Sequence, residues 1–223
     1  MPMAIVVFDL DGTLIDSAPD IRAAANKMLC EQGIAGLDLP TIISFIGNGL
    51  PKLVERVMQR TGLDMSRHSE LTAVTLAHYN AATTDLTRPY PGVVQALEAL
   101  SAAGHVLAMC TNKPEEPARS ILRDLRIERF FNGVVGGDTL AVKKPDPEPL
   151  LHIIRHLGEG PALYVGDSEV DAETAVRAGV RFALFTEGYR KSPVEAIPHQ
   201  HQFSDFTTLP GLVERALREE QTC

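Results

Sequence analysis

The chain has 223 residues, 44% of them hydrophobic and 22% charged, enough to close a sizeable core with room for one smaller accessory domain. Its 21 basic and 29 acidic residues give a net charge of -8 and a pI near 5.4, which argues against nucleic acid or an anionic membrane as partner. No apolar run approaches the length of a membrane span, and no basic region, apolar stretch and cleavage site open the chain, so a cytoplasmic location is expected, with Cys30, Cys110 and Cys223 as reduced thiols.

The first strong signal is Ala4-Ile5-Val6-Val7-Phe8, an apolar run without alternation that predicts a strand covered on both faces, as in a parallel sheet. It ends abruptly in Asp9-Leu10-Asp11-Gly12-Thr13. Open α/β sheets bind ligands beyond the carboxyl ends of their strands. A two-residue spacing projects Asp9 and Asp11 to one side, so two like charges converge unless a cation lies between them, and a divalent metal is the simplest candidate. The plainer alternative is a polar turn built on Gly12.

Ser17 is placed to cap a helix carrying Ile21, Ala24, Ala25, Met28 and Leu29, stopped by Gly33. A second helix begins near Pro40 and runs through Ile42, Ile43 and Phe45 into Gly47-Asn48-Gly49. A third carries Leu53, Val54, Val57 and Met58, and residues 66–82 predict a fourth. No strand is convincing between residues 15 and 85, so this span predicts a helical lid, with residues 83–91 as its return linker.

From Gly92 the chain alternates helix and strand, the pattern of a doubly wound sheet with right-handed crossovers. A helix at 93–100 precedes a strand at 106–110, which ends in Thr111-Asn112-Lys113. A helix at about 115–125 leads to a weaker strand at 134–135, then through Gly136-Gly137-Asp138 to Lys143-Lys144-Pro145-Asp146-Pro147. After a helix at 150–157, the strand at 162–165 stops at Gly166-Asp167-Ser168, and a further helix carries Asp171, Ala175, Val176 and Ala178. Residues 182–185 predict the last central strand, followed by a short segment near Phe203 and a helix from Gly211. The expected architecture is an α/β doubly wound core of residues 1–14 and 86–223 with residues 15–85 inserted as a helical cap.

Four strand ends therefore carry polar groups: Asp9 with Asp11, Thr111, Lys144 with Asp146 beyond it, and Asp167 with Asp171. In a parallel sheet they meet at one edge. Phe8-Asp9-Leu10-Asp11-Gly12-Thr13-Leu14-Ile15-Asp16-Ser17 resembles the first motif of the haloacid dehalogenase-like (HAD) superfamily in its phosphatase form, and the ordered set resembles all four of its motifs. The resemblance implies a Rossmann-like core, Asp9 as nucleophile, Asp11 as general acid/base, and Mg2+ bridging enzyme and phosphate. It also implies the backbone carbonyl of Asp11 as a metal ligand beside the Asp9 and Asp167 side chains.

The chemistry suits those residue types. A phosphomonoester dianion repels a carboxylate nucleophile, so the site must supply positive charge, and Mg2+ with its preference for oxygen ligands meets that demand. Thr111 and Asn112 are expected against the substrate, and Lys144 neutralises both Asp9 and phosphate. Lys144 is preferred to Lys143, which is expected to stay solvated, because the family's lysine directly precedes the proline. Asp171, four residues after Asp167, is placed to hold a metal-bound water, or alternatively is a first-turn acid favoured by the helix dipole. Thr13 and Asp16 are read as support for the loop.

Other schemes fit less well. Cys110 lacks the arginine of a cysteine-phosphatase loop, because Glu116 stands six residues later, and it reads as a buried strand-end residue. His199 and His201 read as loop residues without a third metal ligand nearby, and no dinucleotide-binding glycine pattern is present. A receiver-type signalling module would lack the helical insert, whereas a phosphohexose mutase of the same superfamily stays open.

The resemblance extends to bacterial phosphoglycolate phosphatases through Asp16-Ser17-Ala18-Pro19-Asp20, Phe45-Ile46-Gly47-Asn48-Gly49, Gly136-Gly137-Asp138, Lys143-Lys144-Pro145-Asp146-Pro147 and Tyr164-Val165-Gly166-Asp167-Ser168. It implies hydrolysis of 2-phosphoglycolate to glycolate and phosphate, with other small phosphate esters or pyrophosphate as alternatives. The expected partner is a small anionic phosphate ester. In the lid, Gly47-Asn48-Gly49 before a helix, with Lys52 in its first turn, is expected to bind the substrate carboxylate.

Overall fold

The computed structural model describes residues 3–82 and 84–220; Cys223 and Thr83, the first residue of the expected linker, lie outside them. β1 (Ile5–Phe8) sits inside a six-stranded sheet with β4 (Val106–Cys110), β5 (Gly133–Val135), β6 (Ala162–Gly166), β7 (Arg181–Phe185) and β8 (His201–Phe203). Every pairing is parallel and the order is β5-β4-β1-β6-β7-β8. The chain builds outward from β1 through β4 to β5, then crosses to β6 on the other side. β1 is thus where the winding reverses, the place at which open α/β sheets bind ligands.

The unbroken apolar run of β1 has a direct cause in this arrangement. Val6 and Phe8 pack into one core cluster with α5 (Val93–Ala102), α6 (Glu115–Asp124) and α9 (Leu209–Glu220). Ile5 and Val7 point to the opposite face, where α7 (Glu148–Leu157) and α8 (Glu169–Ala178) supply Leu150, Ile153, Ala172 and Ala175. Both faces of the pleat are covered, so neither can be polar. Cys110 is buried at the end of β4, as expected, and burial pushes its thiol up to about 12, which leaves it a small inert hydrophobe.

The insert consists of α1 (Ala18–Glu31), α2 (Leu39–Phe45), α3 (Leu50–Thr61) and α4 (His68–Asn80), the last preceded by a 3-10 turn over Met65–Arg67. The span expected to hold no strand in fact begins with β2 (Ile15–Asp16), which pairs antiparallel with β3 (Arg88–Pro89). Two-residue strands carry no periodicity, and this pairing exists only because the chain leaves and re-enters the core at neighbouring points. Buried Asp20 on α1 holds that junction by accepting hydrogen bonds from the backbone of Leu86 and Thr87 and from the Thr87 hydroxyl. Ser17 does occupy the cap position of α1, yet its hydroxyl makes no capping bond. It donates to Asp11 instead, at 2.5 Å.

Candidate active site

The carboxyl ends of β1, β4 and β6 and the loop after β5 converge on one cleft of about 280 Å³ beneath the cap. Asp9 leaves β1 with its N–H still bonded to Val165, 2.9 Å, so the sheet ladder sets its position. The chain then turns at Gly12, whose φ of +87° suits glycine and where a Cβ would stand 2.5 Å from Asp167 Oδ2. That close approach brings β6 and the first loop together. Thr13 Oγ1 donates to Asp167 Oδ1 at 2.8 Å, and the Tyr189 N–H donates to Oδ2 at 2.6 Å. The Tyr189 hydroxyl continues outward to Asp16, 2.6 Å, and accepts the Ala18 N–H at 2.9 Å, so one side chain links the Asp167 loop to the start of the cap.

Lys144 is almost fully buried and sits at the centre of the acids. Its Nζ lies 2.9 Å from Asp9 Oδ1 and donates to Asp171 Oδ1 at 2.6 Å and to the Tyr164 hydroxyl at 2.8 Å. Tyr164 in turn donates to Asp171 Oδ1 at 2.8 Å. Asp171 Oδ2 is taken by the Ser168 hydroxyl and N–H and by the Asp167 N–H, in a capping box that starts α8. The structure therefore gives Asp171 a different surrounding from the one expected of a residue holding a metal-bound water: the Lys144 ammonium already balances its charge, whereas Asp167 accepts only from neutral donors. Burial pushes Asp171 up, but the charge and hydrogen bond of Lys144, with Ser168 and Tyr164, outweigh it and hold the carboxyl below its usual range.

Asp9 and Asp167 are perturbed the other way. Burial raises Asp9 to about 6 against the pull of Lys144, with Asp171 and Asp11 adding repulsion. Asp167 is raised well above an ordinary carboxylate by burial and then by Asp171 and Asp9. Two acids that are both hard to ionise side by side mark a place short of positive charge.

The sequence reading missed Lys113. Its buried ammonium bridges the two Asp11 oxygens at 2.9 and 2.8 Å and sits 4.8 Å over the ring of Tyr79 from the cap. Asp11 outweighs burial and keeps Lys113 firmly charged. Its position directly after a strand-end threonine was a usable signal, but its partner lies 102 residues away. Tyr164 and Tyr189 were missed for the same reason: each reads as a core aromatic until the fold shows where its hydroxyl ends.

Thr111 is buried in the cleft lining, and Asn112 beside it reaches across to the cap through Nδ2, which donates to Gly47 O at 3.0 Å and to Lys144 O at 3.1 Å. Successive carbonyls of the loop after α2 are all held in this way. Phe45 O accepts from Arg56 at 2.7 Å, Ile46 O from Lys191 at 3.1 Å, Gly47 O from Asn112, and Asn48 O from Lys143 at 3.2 Å. Lys143 is exposed, as expected of a solvated residue, yet it lines the cleft and grips the cap. Gly47 and Gly49 line the cleft, whereas the Asn48 side chain accepts from Arg56 at 2.9 Å. Lys52 is not brought to the site: it is half exposed and paired with Glu55 at 2.7 Å. His201, expected in a loop, opens β8.

Asp9, Asp167 and Asp171 each offer an oxygen within 4.8 Å of the others. With Asp11 they make four carboxylates against the two ammoniums of Lys113 and Lys144, a formal charge of -2 that one divalent cation cancels. Asp9 Oδ1 is buried with the Lys144 ammonium 2.9 Å away as its charge partner, Asp167 has no ion pair among the described residues, and the donors are all oxygen, so the residues fit a hard divalent ion.

A family model for haloacid dehalogenase-like hydrolases matches residues 6–185 of the chain. A phosphoglycolate phosphatase from Cereibacter sphaeroides is 50% identical over 214 residues, covering 95% of this chain and 98% of that protein. One from Rhodobacter capsulatus is 43% identical, with 94% and 96% covered. The crystal structure of a predicted phosphoglycolate phosphatase from Haemophilus somnus superposes with a TM-score of 0.90 at 30% identity, covering 95% of this chain and 98% of that one.

Proposed function

The chain belongs to the haloacid dehalogenase-like hydrolase family, as a phosphoric monoester hydrolase, and we propose that its reaction is the hydrolysis of 2-phosphoglycolate to glycolate and phosphate. The observation that carries the chemistry is a set of four carboxylates, three of them buried, and two buried lysines, short of two positive charges, at the edge where the sheet reverses. The choice of substrate is supported by relatives of that name at up to 50% identity over nearly the whole chain.

In this reading Asp9 attacks phosphorus in line, forming an aspartyl phosphate, and the ester oxygen leaves with a proton from Asp11. Asp11 then takes a proton from the water that releases phosphate. Lys144 holds Asp9 in place and balances the incoming dianion, while Asp171 and Tyr164 fix the ammonium between them. Thr111 supplies a hydroxyl to a phosphate oxygen, with Asn112 beside it. Asp9, Asp167 and the Asp11 carbonyl would hold Mg2+, which would supply the positive charge that the transferring phosphoryl group needs. Asp171 acts here through Lys144.

Release of inorganic phosphate from a panel of small esters and pyrophosphate, with Mg2+ and with EDTA, tests the reading. 2-Phosphoglycolate is expected to lead the panel, and EDTA to silence it. Faster turnover of a sugar phosphate, or a need for a sugar bisphosphate activator, would replace it with another phosphatase or a mutase.

A further inference from the structure

The cleft contains a pair of donors that the chemistry above does not use. Lys113 and Tyr79 meet in its lining, one from the core and one from the cap. The ammonium of Lys113 spans both oxygens of Asp11 and lies beside Tyr79, whose hydroxyl, although buried, donates to no acceptor among the described residues. A buried hydroxyl without an acceptor is costly, and its natural complement is an acceptor brought by a ligand.

We propose that Lys113 and Tyr79 form the subsite that reads the carboxylate of the substrate, so that acid-tailed esters are selected beside Asp11 rather than at the outer lid. The inference rests on the phosphoglycolate reading and assigns its specificity to residues. The placement follows from connectivity. To protonate the ester oxygen, Asp11 must approach to about 2.6–3.2 Å. Lys113 Nζ is already 2.8 and 2.9 Å from the Asp11 oxygens. In 2-phosphoglycolate a single methylene separates the ester oxygen from the carboxylate, so the anion arrives next to Nζ and the Tyr79 ring that Nζ touches.

The exchange of partners has a further use. Ser17 and Lys113 both donate to Asp11 Oδ1, and Lys113 alone to Oδ2. A substrate carboxylate offers the ammonium a second anion and draws it off one Asp11 oxygen. An ester with a neutral tail offers nothing in exchange. Tyr79 lies on α4, so the subsite is complete only when cap and core meet.

The test compares kcat/KM for 2-phosphoglycolate with that for its carboxamide and for ethyl phosphate, in wild type, Tyr79→Phe, Lys113→Met, Lys113→Arg and Lys52→Ala. A charge-assisted hydrogen bond corresponds to a factor of about ten to a hundred, so the acid-to-neutral ratio should fall by that much in Tyr79→Phe and Lys113→Met. Lys113→Arg should recover part of it, and Lys52→Ala should leave the ratio where it was. Tyr79→Phe removes one oxygen and keeps the ring, so it reports even where the Lys113 variants fail to fold. The same variants should bind glycolate more weakly by calorimetric titration.

Equal losses on acid and neutral esters in Tyr79→Phe would overturn the subsite, as would a collapse of the ratio in Lys52→Ala alone. A wild-type enzyme that does not distinguish the acid from its carboxamide would overturn both the subsite and the phosphoglycolate reading. Preference for the acid in wild type, retained in Tyr79→Phe and in a folded Lys113→Met, would sink the subsite alone.

Discussion

Replacing Lys144 by Met removes a buried charge while keeping an unbranched side chain of similar length, and the structure gives the consequence a size. The ammonium is the sole cation in contact with Asp9 and Asp171 among the described residues, at 2.9 and 2.6 Å. Without it, the formal charge of the cluster goes from -2 to -3, four carboxylates against Lys113 alone. Removing one partner of a buried ion pair costs about 3–5 kcal/mol, a large share of the roughly 5–15 kcal/mol that holds a domain folded. The cluster can recover part of this by binding protons. Asp9 already sits near 6 rather than 3.8, and loss of Lys144 raises it further. An acid raised in the folded state stabilises the fold below its unfolded value and loses that contribution as pH rises through the folded one. The deficit of Lys144→Met should therefore be largest near pH 8 and shrink toward pH 5. Urea unfolding of metal-free wild type and variant at both pH values measures it, and adding Asp171→Asn should return much of the stability. A Lys144→Met protein as stable as wild type at pH 8 would refute the picture of an ionised, cation-dependent cluster.

Asp9→Asn should release no phosphate from any ester yet unfold at a urea concentration no lower than wild type, because it removes a strained buried acid; turnover by the folded variant would refute the nucleophile. Asp11→Asn should slow an alkyl ester far more than a nitrophenyl ester, whose oxygen leaves without a proton, and equal slowing would count against Asp11 as acid. Asp167→Ala should weaken Mg2+ binding in calorimetry more than Asp171→Ala, because Asp171 is ion-paired with Lys144 whereas Asp167 accepts only from the neutral Thr13 hydroxyl and Tyr189 N–H; the reverse order would mean that the ligand assignment is wrong. His105 accepts the Ala4 N–H at 3.2 Å, and burial lowers it below 6.5. A depressed histidine stabilises the fold fully above its unfolded value and less as pH falls below it, so His105→Asn should flatten the loss of urea stability below about pH 6.5.

What the sequence revealed was what local pattern can encode. The run before Asp9, the helical stripes of the cap and the polar residues after each strand were readable because a few neighbouring residues carry each signal. The parallel, doubly wound sheet followed from alternation of helix and strand, whereas its strand order had no local signal. The groups that escaped are those whose partners are distant. Lys113 finds Asp11, Tyr189 finds Asp16 at a separation of 173, and Ser17 gives up its cap to Asp11. Lys52 shows the opposite failure. A lysine in the first turn of a helix behind two glycines looks like an anion site, but Glu55 one turn later takes its charge. The two-residue strands β2 and β3 lie below any periodicity and exist through their mutual contact alone.

The loop after α2 is gripped through its main chain. Arg56, Lys191, Asn112 and Lys143 each take a peptide carbonyl, and peptide carbonyls are the same whatever letters the loop spells. The seal between cap and core is therefore largely separated from the identity of what the loop displays. Descendants of this chain are free to rewrite the face shown to the substrate while the clasp stays shut, and the burden of constancy falls on Lys191, Asn112 and Lys143 from the core, with Arg56 bracing the loop from within the cap.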